Sequence, residues 1–512
     1  MMVGHLAYIA IVLALGSAAS SRGLEEFGSL IFVIGAVGLW RYSWAAINFA
    51  RAAAYMLWIY PRLRARMDSA YRARPVPAHA YFMVTTFKIE PAVTTRVYRT
   101  IFEAAARSRG GATIVASVVD GADLRIIREI FARSPAVKAG VKLVIDQIPG
   151  TGKRDAIARS LRILSREAPS SRDLLIFVDG DSCVPADLVE RAAPFFCDPR
   201  VGALTTDETV EILDAPLFRD WFDLRFMQRQ VMMCSMAFGG RVLTLTGRMS
   251  VIRADLATDP TFIRQVQQDY IDHWRLGRVT FLTGDDKSTW FWLLSRGYLM
   301  TYLPDVKSVS METQPLPGFV ESAVTLMKRW FGNMMRTNGR ALALGPRRIG
   351  LFTWWSILDQ RVSVWTTLAG PVAVLLTTVF VTPLALPAYV AWVLFTRYVF
   401  CWALSLFRGG RVPDHLPAAS LLRPDLRRRG QELGHVQARP AALDTPGLRL
   451  PHGAPHAQPA PARRLLPLRS TPRLWLVRPG RPVPHRTSLI PRVPHDAANR
   501  HSAPPGHLLR PR

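Results

Sequence analysis

The chain reads as a doubly wound α/β domain on the cytoplasmic side, set between two apolar regions of membrane-helix character, and three observations predict it. From Ala80 onward, short β-forming runs alternate with amphipathic stretches, a pattern that implies right-handed crossovers and a parallel sheet. The run Leu174 to Asp181, LLIFVDGD, is apolar until it stops at two carboxylates separated by one glycine. A run of this kind reads as a buried strand, and its carboxyl end is where open α/β sheets hold ligands. Apolar character is also concentrated at residues 5–20, 29–60 and 363–407, leaving a globular middle. Four parts follow: N-terminal transmembrane or interfacial helices (1–60), the α/β domain with an interfacial helix (61–345), C-terminal transmembrane helices (346–408) and a tail (409–512).

HLAYIAIVLALGSAAS, residues 5–20, is short for a span, and small residues follow its apolar run as at a signal-peptide cleavage site. A membrane helix is the expectation, because a second apolar segment comes at once and the basic cluster Arg62, Arg64, Arg66, Arg72 and Arg74 follows that one. The second segment, to Tyr60, is either one span plus an interfacial helix or two closely spaced spans, since Arg41 and Arg51 interrupt it. Trp40, Trp44, Trp58 and Tyr60 are of the aromatic types that settle at headgroups.

In the middle region AYFMVTTF is the first strand, followed by a helix opening at Pro91; GATIVASVVD is the second and VKLVIDQI the third. After GTGK, the helix DAIARSLRILSRE carries Ile157, Leu161 and Leu164 on one face, and LLIFVDGD is the fourth strand. Asp120 closes the second strand, and Asp179 and Asp181 close the fourth. One such residue alone is ordinarily a helix cap, and DGD alone is as easily a surface turn. Carboxylates at two strand ends on one edge of one sheet favour a site. Two acidic oxygens on a glycine turn suit a hard divalent cation that shares its shell with a diphosphate.

GTGK at 150–153 fails as a P-loop, because Gln147 replaces the first glycine and Arg154 the Ser or Thr. Lys153 and Arg154 at a helix start either cradle phosphate or form a solvated basic end. FLTGDDKSTWFW (281–292) places Asp285 beside Asp286; in an enclosed site one of them is raised and poised as a base, and otherwise they form a surface turn. VTLMKRWFGNMMRTNGRAL is an amphipathic helix, lying on the membrane or presenting Arg329 to phosphate and Trp330 to a sugar.

The formal charge of +27 does not indicate nucleic acid. Eighteen arginines against five acidic residues, with no lysine, lie between Gly410 and Arg512, a stretch without Phe, Tyr, Met or Cys that cannot bury a core. The four cysteines lack metal spacing and pairing, which fits a reducing compartment.

Taken in order, these pieces resemble the processive family 2 glycosyltransferases, which pair a cytoplasmic GT-A domain with flanking membrane helices. Asp120, the lysine turn at Lys153, the DxD of Asp179 and Asp181, Gly284-Asp285-Asp286 and Arg329-Trp330, the end of a QxxRW motif, follow one another as in that family. Leu326 departs from it, standing where the glutamine belongs. GTGKRD, LTGRMS, HWRLGR, FLTGDDKS, RWFGN and DQRVS are most similar to the bacterial alginate-polymerising (mannuronan synthase) branch, over roughly Ala80 to Phe407.

The resemblance, and nothing in composition or spacing, implies GDP-mannuronate as donor and a β-1,4-polymannuronate chain as product. It further implies an inner-membrane, multi-pass location with transfer toward the periplasm, and as partners a cyclic-di-GMP-responsive co-polymerase and periplasmic export proteins. Under it Asp181 and Asp179 hold Mg²⁺ or Mn²⁺, Asp286 is the base with Asp285 as fallback, and Lys153 and Arg329 neutralise phosphate. Asp120 contacts the nucleoside, and Trp330 stacks on the growing polysaccharide. The alternatives are a UDP-sugar-dependent synthase and an inactive membrane scaffold or secretion component.

The family would continue with membrane helices after Phe407, but a Pro-, Arg-, His- and Leu-rich stretch holding eight of the eleven histidines begins there. Such a composition is what a GC-rich coding strand yields in the wrong frame. The expectation is a frameshift between Arg408 and Val412, the alternative a genuine disordered basic tail; sequencing the gene decides between them.

Overall fold

A computed structural model of the chain describes residues 2–18, 28–74, 76–273, 277–279 and 284–408. The tail, and with it the frameshift and disorder expected there, lies outside the described residues, as do parts of HWRLGR and FLTGDD.

The alternation predicted from Ala80 forms β1 (Ala80–Thr86), β2 (Ala112–Val118), β3 (Lys142–Gln147) and β4 (Leu174–Asp179), with helices Pro91–Ala106, Gly121–Ala132 and Lys153–Ser165 between them. These strands pair in parallel in the order β3-β2-β1-β4. The order reverses at β1, so the carboxyl ends of β1 and β4 flank a topological switch point. β2 is buried throughout, and β1 and β4 at all but one residue each, which is why their sequences are continuously apolar rather than alternating.

Beyond β4 the sheet is mixed, which corrects the expectation of a parallel one. β5 (Ser182–Cys183), β6 (Val201–Glu211), β7 (Met249–Arg253) and β10 (Leu299–Met311) extend it in the order β4-β7-β6-β10-β5, while β8 (Ile271–His273) and β9 (Gly277–Val279) form a separate hairpin. β7 runs antiparallel to both β4 and β6, and β6 pairs in parallel with β10. These strands escaped sequence reading for physical reasons. β6 carries the polar run Thr205-Thr206-Asp207-Glu208, and β10 contains Pro304 within a register shift between Leu303 and Lys307; such a proline marks a bulge.

Helix Gly28–Ala54 continues through a π turn at Tyr55–Ile59 into helix Tyr60–Arg72, so the second apolar region is one continuous helical run rather than two spans. The arginines that interrupt it have internal partners: Arg41 pairs with Asp359 of helix Leu351–Phe380 at 2.7 Å, and Arg51 lies 3.7 Å over the Phe352 ring. Tyr60 is buried within the protein; its hydroxyl donates to Asp305 of β10, which Arg64 also meets at 2.9 Å. Among the described residues one helix, Ala385–Arg408, is long and apolar enough to cross a membrane.

Candidate active site

One cavity of about 1590 Å³ opens beside the switch point, and Lys153, Asp179, Asp181, Asp285, Asp286, Arg329 and Trp330 all line it. Asp120 is not among its lining residues. It sits exposed at the end of β2, where its carboxylate accepts from the Ala122 N–H at 2.9 Å and caps helix Gly121–Ala132.

The DxD turn is shaped by its glycine. Gly180 N–H donates to the Thr85 carbonyl at 3.0 Å, and a Cβ at Gly180 would stand 2.7 Å from that oxygen and 3.1 Å from Thr86 Cα. Only glycine lets the turn lie this close to the end of β1. We expect Gly180→Ala to displace both carboxylates and to lower activity by about a hundredfold or more, the usual effect of an ångström-scale misplacement; initial rates at matched expression check it, and an unimpaired variant would refute the packing account.

Lys153 opens its helix after Gly152 and reaches Asp179 at 2.6 Å and Asp285 at 3.5 Å. Burial works to lower its pKa, but Asp179 and Asp285 outweigh that and hold it above the ordinary lysine range. Asp179 is pushed up to about 7 by burial, with Lys153 opposing and the charges of Asp285 and Asp181 adding to the rise. Asp181 is raised by burial and then by Glu312. Asp286 is raised by burial and then by Asp285.

Asp179, Asp181, Asp285 and Asp286 thus gather near Lys153, and a divalent cation would relieve the mutual repulsion that adds to burial in raising Asp179 and Asp286. Among the described residues no three Asp, Glu, His or Cys side chains are grouped as a complete metal site. One or two carboxylates with the remaining positions left to a phosphate is the donor set of a magnesium-type ion, and Asp181 and Asp179 fit it.

Asp285 and Asp286 begin helix Asp285–Ser295 after Gly284, whose φ of 100° is left-handed and whose Cβ would lie 2.9 Å from Asn333 Nδ2. Arg154, together with residues that sequence reading did not single out, holds this turn in place. Arg154 donates to the Gly284 carbonyl at 3.0 Å and to Ser288 Oγ at 2.9 Å, so it braces the acidic turn while also lining the cavity. Ser288 donates at 2.5 Å to buried Asp269, which Arg340 grips with both guanidinium nitrogens at 2.6 and 2.9 Å. Arg248, quoted only as part of TGRMS, pairs with Glu312 at 2.7 Å, and both line the cavity. Asp269 has no sequence signal, because Ser288 and Arg340 lie 19 and 71 residues further along the chain.

Arg329 is exposed on helix Phe319–Ala343 and lines the cavity, whereas one face of Trp330 stacks on Trp221 with ring centroids 5.8 Å apart. Leu326 is buried in an apolar cluster with Ile212, Phe218, Phe222 and Phe226. A glutamine there would need a polar partner that this cluster does not offer, which explains the departure from the QxxRW pattern.

Residues 77–333 match the family model described as "Glycosyltransferase like family 2". Together with the relatives below, this shows that the chain belongs to glycosyltransferase family 2 and is a glycosyltransferase with a GT-A-like fold. It is 39% identical over 416 residues to the protein named glycosyltransferase alg8 of Pseudomonas syringae pv. tomato, covering 81% of this chain and 84% of the relative. To the protein of the same name from Azotobacter vinelandii it is 39% identical over 382 residues, covering 74% and 77% respectively. Among solved structures, a mannosyltransferase from Pyrobaculum calidifontis in complex with GDP-Man and Mn²⁺ aligns with a TM-score of 0.44 at 19% identity, over 73% of this chain and 97% of that one.

Proposed function

We propose that the chain is the catalytic subunit of a membrane-bound alginate synthase, an inverting glycosyltransferase that extends β-1,4-polymannuronate from GDP-mannuronate and passes it toward the periplasm. The observation that carries this reading is the convergence of Asp179, Asp181, Lys153 and Asp286 on one cavity at the switch point. The identity to proteins named glycosyltransferase alg8 supports the choice of polymer. The apolar helix Ala385–Arg408 and the identity to proteins named glycosyltransferase alg8 support an inner-membrane location, which the proposal takes to be multi-pass. A cyclic-di-GMP-responsive co-polymerase and periplasmic export proteins complete the proposed assembly.

The reaction is a single displacement. The terminal 4-hydroxyl oxygen of the chain attacks the anomeric carbon, the bond to the diphosphate breaks, and GDP departs with the electron pair. Asp286 takes the hydroxyl proton, and its raised pKa makes it a stronger base than an ordinary carboxylate. Mg²⁺ or Mn²⁺ bound by Asp181 and Asp179 would supply Lewis-acid stabilisation of the departing diphosphate. Lys153 and Arg329 add positive charge on the donor side. Lys153 also keeps Asp179 oriented, and Trp330, anchored by Trp221, forms a rigid wall for the acceptor.

The test is incorporation of labelled sugar into polymer by membranes containing the chain and its partners, with GDP-mannuronate compared against UDP-sugars. Polymer from GDP-mannuronate alone is the expected result. EDTA should abolish it and added Mg²⁺ or Mn²⁺ should restore it. Polymer from a UDP-sugar instead would replace the donor assignment, and EDTA-resistant synthesis would remove the metal. If no donor gives polymer until the frame beyond Arg408 is restored, the tail is the defect.

A further inference from the structure

The cavity has two poles of opposite charge. Its acidic pole is the Asp179, Asp181, Asp285 and Asp286 group already described. Its other end is lined by Arg264 and Gln268 at helix Pro260–Gln267, by Arg296 and Trp292 from the far end of helix Asp285–Ser295, and by Arg278 of the β8–β9 hairpin. At about 1590 Å³ the cavity exceeds the space that one drug-sized ligand takes, about 300–1,000 Å³, so it has room beyond a single nucleotide sugar.

The basic pole is built, not a random surface. Arg296 donates to Thr261 Oγ1 at 2.9 Å and lies 3.8 Å over the Trp292 ring, whose own N–H also meets Thr261 at 3.2 Å. Thr261 and Arg264 are three residues apart on one helix and therefore neighbours, which brings the two guanidinium groups to the same wall. Neither Arg264 nor Arg296 forms an ion pair with a carboxylate among the described residues. Of the nearby acidic groups, Asp259 caps Thr261 and Phe262 through their N–H groups and also feels the Arg296 charge, and Asp155, on helix Lys153–Ser165, accepts from Thr151 at 2.5 Å and Gln267 at 2.8 Å. Arg278 pairs with Asp272 at 2.9 Å and stacks over Tyr270, which leaves Arg264 and Arg296 as the two without a carboxylate at ion-pair distance among the described residues.

We infer that Arg264 and Arg296 form a carboxylate-recognition subsite for an anionic sugar, a uronate held by planar guanidinium forks. The flat Trp292 face backs one of those forks. The inference rests on the uronate reading of the proposed function and deepens it: one cavity end manages the cation and diphosphate, and the other discriminates an acidic sugar from its neutral counterpart. The carboxylate belongs either to the donor sugar or to a residue of the growing chain, and the two sources have different kinetic signatures.

The experiment uses the full chain in membranes with its partners. It compares wild type with Arg264→Gln, Arg296→Gln, the double variant and the corresponding Arg→Lys variants. The readouts are the donor KM, inhibition by GDP, and inhibition by oligomannuronate and by neutral oligomannose of equal length. A chain carboxylate predicts that the double Gln variant weakens oligomannuronate inhibition at least tenfold with donor KM unchanged. A donor carboxylate predicts at least a tenfold rise in donor KM with GDP inhibition unchanged. Lysine should recover only part of either loss, because it keeps the charge without the fork. Unchanged values for both, or equal loss of neutral oligomannose inhibition, would overturn the subsite while leaving the proposed donor in place. A wild type that neither uses GDP-mannuronate nor is inhibited by oligomannuronate would overturn the donor assignment, and the subsite with it.

Discussion

Asp286→Asn should abolish polymer synthesis while leaving GDP binding nearly intact. Loss of a positioned general base costs about 10²–10⁴-fold in rate, and asparagine keeps the shape of the side chain while removing its ability to accept the proton. Asp286 is held by structure that does not depend on its charge: it follows the left-handed Gly284, and Arg154 fixes the Gly284 carbonyl from the neighbouring helix. The substitution therefore removes chemistry without releasing the turn.

A pH signature accompanies this loss. Burial, with the Asp285 charge adding to it, raises the Asp286 carboxyl above its ordinary value, and a base works only when deprotonated. The wild-type rate at saturating donor should therefore fall, as pH is lowered, at a higher pH than an ordinary carboxylate would give. Rates across pH together with GDP binding by both forms check the assignment. Equal loss of synthesis and of GDP binding would place Asp286 in donor binding instead of proton transfer.

Which parts of the molecule were legible in the sequence follows from which contacts are local. β1, β2 and β4 were readable because each is buried nearly throughout and so is written as an apolar run, closed by a turn, whereas β3, at the sheet edge, is only partly buried and was readable from its short apolar centre alone. The sequence also nominated Asp179, Asp181, Asp285 and Asp286, because each pair lies beside a glycine that its turn requires. β6 and β10 were not readable, since their polar residues are buried at the far edge of the sheet: Asp207 and Glu208 are each 1% exposed, and Tyr302 of β10 donates to Asp207 at 2.9 Å. No periodicity signals a buried carboxylate whose partner is 95 residues away. Asp120 shows the opposite effect, a residue whose strand-end position is shared by site residues and by helix caps alike, and whose cap is visible in the structure.

The support of the acidic turn is the least legible feature, and removing it has the second largest expected effect. Arg340→Ala leaves the Asp269 carboxylate, 2% exposed, without its bidentate partner. Removing one member of a buried ion pair destabilises by about 3–5 kcal/mol, because the remaining charge stays desolvated. Ser288 and Gln265, which donate to Asp269 at 2.5 and 2.6 Å, offset part of that loss. The damage extends to the site because Ser288 belongs to the helix that begins with Asp285 and Asp286, and Arg154 bonds both Ser288 and Gly284. The variant should therefore unfold at a lower temperature in detergent and synthesise polymer more slowly than its remaining folded fraction allows. The paired change Arg340→Met with Asp269→Leu separates these effects, since replacing a buried ion pair with apolar side chains is often neutral or stabilising. Stability should return in the double variant while activity stays low, because Ser288 no longer has Asp269 to hold it. Full recovery of both would reduce the network to a structural filler, and a single variant as stable as wild type would show that Asp269 needs no guanidinium at all.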